Sequence, residues 1–136
     1  MHPAPGSPRT CRVLVADDDH DAADSLVDML HLWGFSAEAV YDGAQAILAE
    51  EVLQPSLVLL DIDMPGVDGY TAATVIRRSW PARPVTLVAL TGRSTPAYGV
   101  LAASVGFDAH FCKPIGCARL HLLALQTGPP DRPVRD

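Results

Sequence analysis

The segment from Leu57 to Leu60 is wholly apolar and ends directly in the carboxylate of Asp61. An apolar run of this length with no polar alternation is typical of a strand that is buried on both faces, as in a parallel sheet covered by helices. In open α/β sheets, ligands bind beyond the carboxyl ends of the strands. The run therefore predicts a parallel sheet, and it makes Asp61 a candidate for chemistry.

Strand-like and helix-like patterns alternate along the rest of the chain. Short apolar or mixed runs predict further strands over 12–16, 35–40, 85–90 and 109–112. Apolar residues at helical spacing predict helices over 21–33, 44–53, 69–79, 96–105 and 116–126. Gly34 is placed to end the first helix, and Asp68 to cap the third. Five such strand–helix units imply a doubly wound α/β fold, in which a parallel sheet carries helices on both faces.

The length of the chain predicts one domain. Its 136 residues, of which 49% are hydrophobic, suffice for a single core. We expect a flexible arm over 1–10, the folded domain over 11–127 and a disordered tail over 128–136. Three cysteines without CxxC spacing favour a reduced, cytoplasmic setting over a disulfide framework, and Cys112 and Cys117 are expected to be small core residues.

Charge and hydropathy argue against two classes of partner. The net charge is −6, and the chain lacks the basic stripe that a nucleic-acid surface needs. No apolar run approaches the roughly 18 residues of a membrane-spanning helix, and the N-terminus lacks the features of a signal peptide. We therefore expect neither a nucleic acid nor a membrane as a partner.

Polar side chains follow four of the predicted strands and should meet at one rim of the sheet. They are Asp17, Asp18 and Asp19 after the first strand, Asp61 after the third, Thr91 after the fourth and Lys113 after the fifth. Two carboxylates 4 Å apart repel by about 4 kcal/mol at an effective dielectric constant near 20, so such a cluster requires a cation or raised pKa values. Lys113 offsets one charge, and Mg²⁺ suits the remaining oxygen ligands better than zinc. A metal, an ammonium and a hydroxyl around Asp61 suit a phosphoryl group, with Asp61 as the in-line nucleophile.

Four ordered motifs carry a resemblance to a known family. They are VLVADD (13–18), LDIDMPGVDG (60–69), ALTG (89–92) and GFDAHFCKP (106–114). With these motifs, residues 12–126 resemble the response-regulator receiver domain of two-component signalling. The resemblance implies a flavodoxin-like, five-stranded parallel sheet of order 2-1-3-4-5 with five helices. It also implies a signalling domain rather than an enzyme, apart from self-catalysed phosphorylation and slow autodephosphorylation.

The resemblance assigns the phosphorylation site residue by residue. Asp61 would accept a phosphoryl group from a phosphohistidine of a histidine kinase or a histidine phosphotransfer protein. Mg²⁺ would be bound by Asp18, by Asp61 and by the backbone carbonyl of Asp63, with Asp17 acting through a metal-bound water. Lys113 would contact the phosphoryl oxygen. Asp19 has no assigned role and is taken as a solvated loop acid.

Further implied roles concern switching and the lifetime of the phosphate. The Lys113–Pro114 peptide bond would be cis. Thr91 would couple to His110, where Tyr or Phe is commoner in the family; a buried, neutral histidine without a switching role is the alternative. Asp63 and Arg93 would border the path of the attacking water and so tune the lifetime. A downstream protein would dock on the face formed by 96–126, where a helix almost without charge favours a partner or self-association as a homodimer.

Two alternatives remain open. Asp61-Ile62-Asp63 also resembles the DxD nucleophile motif of haloacid-dehalogenase-type phosphatases, although Met64-Pro65 follows directly and the pair Asp17-Asp18 precedes the motif rather than following it. The second alternative is a receiver-like interaction module that works without phosphorylation.

Overall fold

The computed structural model describes residues 12–79, 84–92 and 96–130, and for 96–99 it describes the helical backbone alone. The strands are β1 (Arg12–Ala16), β2 (Ser36–Val40), β3 (Leu57–Asp61), β4 (Thr86–Thr91) and β5 (Ala109–Cys112). The helices are α1 (His20–Leu32), α2 (Gly43–Leu53), α3 (Gly69–Ser79), α4 (Pro96–Ser104) and α5 (Cys117–Thr127). Every predicted element is present, and no boundary differs by more than one residue. The predicted arm over 1–10 and the part of the tail beyond 130 lie outside the described residues.

The five strands form one parallel sheet in the order β2-β1-β3-β4-β5, so the predicted fold class is confirmed. The central strand β3 pairs with β1 on one side and with β4 on the other. In this register Asp61 lies beside Leu90, and Thr91 lies beside Cys112. The ends of β3, β4 and β5 therefore lie side by side at one edge.

The sheet separates two hydrophobic cores, which explains why β3 has no polar alternation. Val58 and Leu60 belong to a cluster that packs on the side of α2, α3 and α4. Leu57 and Leu59 point to the other side, where α1 and α5 contribute residues such as Leu30. All five residues of β3 are buried. A strand that faces helices on both sides excludes water from both faces, so each of its side chains is apolar until Asp61.

Three aspartates begin helices. Asp68 caps α3 by accepting the Thr71 N–H at 2.8 Å, as predicted. Asp42 does the same for α2. Asp19 is exposed in the loop after β1, as expected, and it also has a role that the sequence did not assign: it is the N-cap of α1 and accepts the Ala22 N–H at 3.2 Å. This role follows from chain geometry, because an aspartate just before the first helical residue can satisfy an N–H that has no partner inside the helix.

The expectation that Cys112 and Cys117 are core residues is wrong, since both thiols are free and exposed. β5 is an edge strand whose side chains alternate between half-buried and exposed. Phe111 packs towards the core shared by α1 and α5, which leaves Cys112 on the outer side. Among the described residues, no helix is both long enough and apolar enough to span a membrane.

Candidate functional site

Three carboxylates gather at the carboxyl edge of the sheet. Asp17 and Asp18 follow β1, Asp61 is the last residue of β3, and one oxygen from each lies within 4.8 Å of the others. Asp17 and Asp61 are buried, with 1% and 3% of their surface exposed, whereas Asp18 is exposed at the rim. The predicted juxtaposition of these three acids is therefore present in the structure.

Lys113 reaches this cluster from the loop after β5. Its Nζ lies 2.7 Å from Oδ2 of Asp17 and donates a hydrogen bond to Oδ2 of Asp61 at 3.0 Å. The side chain of Lys113 is 28% exposed, so the ammonium bridges two buried acids from the open side of the crevice. Among the described residues, one cation thus faces three carboxylates, and these groups together keep a net negative charge.

The electrostatics of the cluster raise the pKa of Asp61 from 3.8 to about 7. Burial is the largest cause, because it disfavours the charged carboxylate, and the negative charge of Asp17 acts in the same direction. Hydrogen bonds from Lys113 and from the Asp63 N–H oppose the shift. For Lys113, burial lowers the pKa, but hydrogen bonds to Asp17 and Asp61 outweigh it and raise the pKa overall. The ammonium is therefore held in its charged form.

The loop after β3 is folded tightly against the Asp61 carboxylate. Oδ1 of Asp61 accepts the N–H of Asp63 at 3.0 Å, while the side chain of Asp63 is exposed. Gly69, the first residue of α3, packs so closely that a Cβ there would lie 2.5 Å from the backbone oxygen of Asp61. The backbone of Asp63 is thus fixed beside the Asp61 carboxylate. That the Asp63 carbonyl oxygen binds the metal stays a prediction.

Thr91 and Lys113 lie on neighbouring strand ends. Thr91 is the last residue of β4, is fully buried, and accepts the backbone N–H of Lys113 at 2.8 Å through its carbonyl oxygen. The Lys113–Pro114 peptide bond is cis, the isomer that the resemblance implied.

The structure places His110 on the exposed side of β5. The alternative of a buried, neutral histidine is therefore wrong, because β5 is an edge strand and alternate side chains point away from the core. In this structure the His110 ring lies outside the core, and its switching role stays a prediction. Arg93, predicted to tune the phosphate lifetime, lies outside the described residues.

The acidic cluster has the donor set of a hard divalent cation. Its three candidate ligands are all carboxylates, and no histidine or cysteine joins the group within the described ranges. Mg²⁺ prefers oxygen ligands and is usually held by one or two carboxylates with several waters, so these residues fit it.

Sequence reasoning missed a group of side chains beside the acids. The ring of His20 stacks on that of Tyr41 with centroids 3.8 Å apart and an angle of 11° between the ring planes. The Tyr41 hydroxyl donates to Oδ1 of Asp24 at 2.7 Å. No local pattern signals this contact, because it depends on how the loop after β1 lies against the end of β2.

Comparisons with known proteins agree with this arrangement. Residues 13–124 match the response regulator receiver domain family. The DNA-binding response regulator MtrA of Mycobacterium tuberculosis is 37% identical over 103 residues, which are 76% of this chain and 44% of MtrA. The chain thus spans less than half the length of such relatives.

Solved structures give the same result for the fold. The signal receiver domain of NarL from Mycobacterium tuberculosis superimposes with a TM-score of 0.77 at 28% identity, covering 88% of this chain and 96% of that one. A CheY-like receiver domain protein from Methanospirillum hungatei gives a TM-score of 0.79 at 23% identity, with 87% and 93% covered.

Proposed function

This chain belongs to the response-regulator receiver domains of two-component signalling, and on that premise we propose that Asp61 is its phosphoacceptor. One observation carries the proposal: the Asp61 carboxylate is buried at the end of β3, with the Lys113 ammonium at 3.0 Å and two further carboxylates beside it. A nucleophile of this kind needs a positive charge close to the developing negative charge on the transferred group. Lys113 supplies one such charge from the open side of the crevice.

The proposed reaction is a phosphoryl transfer in line with the Asp61 carboxylate. One Asp61 oxygen forms a bond to phosphorus, the phosphorus–nitrogen bond of a phosphohistidine breaks, and the donor imidazole leaves. The Asp63 N–H holds one carboxylate oxygen at 3.0 Å and so fixes the plane of the nucleophile. Lys113 stays charged and stabilises the phosphoryl oxygens. Mg²⁺, when bound by Asp18, Asp61 and their neighbours, neutralises further oxygen charge.

We propose the α4–β5–α5 region as the surface that responds to phosphorylation. The Thr91 hydroxyl moves towards the phosphate, and His110 turns into the space that it leaves. The face carries exposed apolar side chains, namely Val100, Leu101, Leu122 and Leu125, which suit a protein partner. Self-association is tested by sedimentation velocity with and without a phosphate mimic: a monomer under both conditions contradicts it.

The partner proposed for the transfer is a histidine kinase or a histidine phosphotransfer protein, as is general for receiver domains. MtrA is named as a DNA-binding protein, but the match covers 44% of its length. Because this chain has a net charge of −6, we propose a protein partner rather than DNA. We propose likewise that this chain acts as a signalling domain. Its cytoplasmic location stays a prediction.

The proposal is tested by intact-mass measurement after incubation with Mg²⁺ and acetyl phosphate. The parent protein is expected to gain one phosphoryl group, and Asp61→Asn to gain none. Asp28→Asn is the matched control, because it removes an exposed carboxylate on α1 that has no role in the proposed site and should still be labelled.

Two results would favour the alternatives. If the parent protein gains no mass with any small donor, the result favours a receiver-like interaction module that works without phosphorylation. Sustained turnover of a generic phosphomonoester would favour a phosphatase.

A further inference from the structure

We propose that the stacked rings of His20 and Tyr41 are positioning residues for Asp18, the exposed acid of the metal cluster. The inference rests on the proposed Mg²⁺ site and adds two residues that no expected role includes. It starts from a difference among the three acids. Asp17 and Asp61 are buried and held by Lys113, whereas Asp18 is exposed. Within the described residues, the Asp18 side chain makes no hydrogen bond or ion pair, so its backbone determines where it lies.

The backbone on the N-terminal side of Asp18 is tied to the end of β2. The N–H of Asp17 donates to the carbonyl oxygen of Val40 at 3.1 Å. Oδ1 of Asp17 accepts the N–H of Asp19 at 3.0 Å, which turns the chain at Asp18. Asp19 then caps α1.

The backbone on the C-terminal side of Asp18 is attached to Tyr41, the residue that follows Val40. His20 opens α1, and its ring lies flat on Tyr41 at 3.8 Å, directly after Val40. Tyr41 is itself fixed, since its N–H donates to Oε1 of Gln45 at 2.9 Å and its hydroxyl to Asp24 on α1 at 2.7 Å. The two consecutive residues Val40 and Tyr41 thus hold the chain on either side of Asp18.

This double attachment fixes a ligand whose side chain makes no hydrogen bond or ion pair with the described residues. If the ring contact is removed, the loop keeps its hydrogen bond to Val40 and the cap at Asp19 but loses its side-chain attachment to Tyr41, so Asp18 samples positions away from the other carboxylates more often. Aromatic pairs contribute modestly, so the expected loss of Mg²⁺ affinity is about 2- to 10-fold.

The test measures the dissociation constant of Mg²⁺ from the dependence of the unfolding temperature on Mg²⁺ concentration, with no phosphodonor present. His20→Ala and Tyr41→Ala are expected to weaken binding by about 2- to 10-fold. His20→Phe retains the ring contact and is expected to restore most of the affinity, whereas Tyr41→Phe retains the ring but loses the hydrogen bond to Asp24 and is expected to restore part of it. A merely structural role would lower the unfolding temperature without metal and leave the dissociation constant unchanged.

The matched control is His121→Ala. It removes a similar stacked pair, with Trp33 at 4.2 Å and 10°, between the C-terminal end of α1 and α5. Its Mg²⁺ affinity should equal that of the parent protein. The inference is overturned if the alanine variants bind Mg²⁺ like the parent, if the phenylalanine variants fail to recover, or if His121→Ala weakens binding equally. A parent protein that does not bind Mg²⁺ at all would contradict the metal site itself, and the inference with it.

Discussion

Asp61 combines the properties that a phosphoacceptor needs with a cost to stability. Its carboxylate is buried beside Asp17, and these two conditions raise its pKa to about 7 even though Lys113 and the Asp63 N–H oppose the shift. The folded protein therefore keeps this acid under repulsion at neutral pH. A cation bound at the cluster offsets this repulsion, whereas a phosphoryl group adds negative charge that Lys113 and a bound cation must neutralise.

Asp61→Asn is expected to stabilise the protein at pH 8 in the presence of EDTA. The folded state holds the proton up to about pH 7, whereas the unfolded chain releases it near 3.8. The free energy of unfolding of the parent therefore falls as the pH rises between these values. The asparagine variant does not lose this stability, because its side chain does not ionise. We expect a gain of about 1–2 kcal/mol at pH 8, less than full conversion of the shift because the variant also loses the charge-assisted hydrogen bond from Lys113.

Thermal unfolding from pH 4 to 8 checks this expectation, and the advantage of the variant should vanish towards pH 4. Asp63→Asn, which alters an exposed acid, should show no such rise. Destabilisation of Asp61→Asn at pH 8 would mean that the ionised carboxylate stabilises the fold, contrary to this expectation.

Gly69 is required by the close approach of α3 to the acid. A Cβ at this position would lie 2.5 Å from the Asp61 oxygen and 2.8 Å from the Ile62 Cα, and both are backbone atoms that cannot rotate away. Gly69→Ala is expected to lower the free energy of unfolding by about 1–3 kcal/mol in urea titrations. Gly92→Ala, where no atom of the described residues lies within 4 Å of the added Cβ, should be near neutral. Equal stability of the two variants would show that the helix can move without cost.

At the scale of elements, the two ends of the strands are stabilised differently. The clustered acids lie at the carboxyl ends of the strands, whereas Arg77 of α3 links the residues at the amino ends of β4 and β5. Its guanidinium donates to the carbonyl oxygens of Gly106 and Val85 at 2.9 and 2.7 Å and to the carboxylate of Asp108 at 2.6 Å. These bonds join α3 to the starts of β4 and β5, far along the strands from Asp61.

Arg77→Ala is expected to lower the free energy of unfolding by about 1–3 kcal/mol, because several partly buried acceptors lose their donor. Mg²⁺ affinity should not change, since the contact lies at the other end of the strands. Arg78→Ala is the matched control, as the neighbouring side chain is exposed. A loss of Mg²⁺ affinity in Arg77→Ala alone would indicate that the two ends are coupled.

The helices and strands were predictable from sequence because capping residues and the pattern of buried apolar residues indicate the same elements. The apolar run that ends at Asp61 favours a strand covered on both faces, and Asp68 before Gly69 favours the start of a helix. The environment of β5 was not predictable in this way. Cys112 and His110 are exposed because β5 is the last strand of the sheet, and strand order is a property of the whole chain.

The same division holds for the site. Asp17, Asp61 and Lys113 were found because each follows an apolar strand, and the carboxyl ends of parallel strands must meet. The contact between His20 and Tyr41 was missed because it depends on how one loop lies on another. The cap at Asp19 was missed because cluster reasoning gave that acid no local role.

At the scale of the whole molecule, a rigid sheet brings acids from two strands and a cation from a third to one point. β1, β3 and β5 each contribute a charged group, and the cores on both faces fix the strands that carry them. No single element contains the site. The proposed phosphorylation therefore depends on the complete domain, and we expect its effect at the α4–β5–α5 face rather than at the acids.

The most direct test of the central claim locates the phosphoryl group on the chain. The protein is incubated with Mg²⁺ and acetyl phosphate and then reduced with borohydride, which converts a phosphorylated aspartate to homoserine, and its peptides are mapped by mass spectrometry. We predict homoserine at position 61 alone, and only when both Mg²⁺ and the donor are present. Homoserine at Asp17, Asp18 or Asp63 with Asp61 unchanged, or no homoserine at all, would contradict the assignment of Asp61 as the phosphoacceptor.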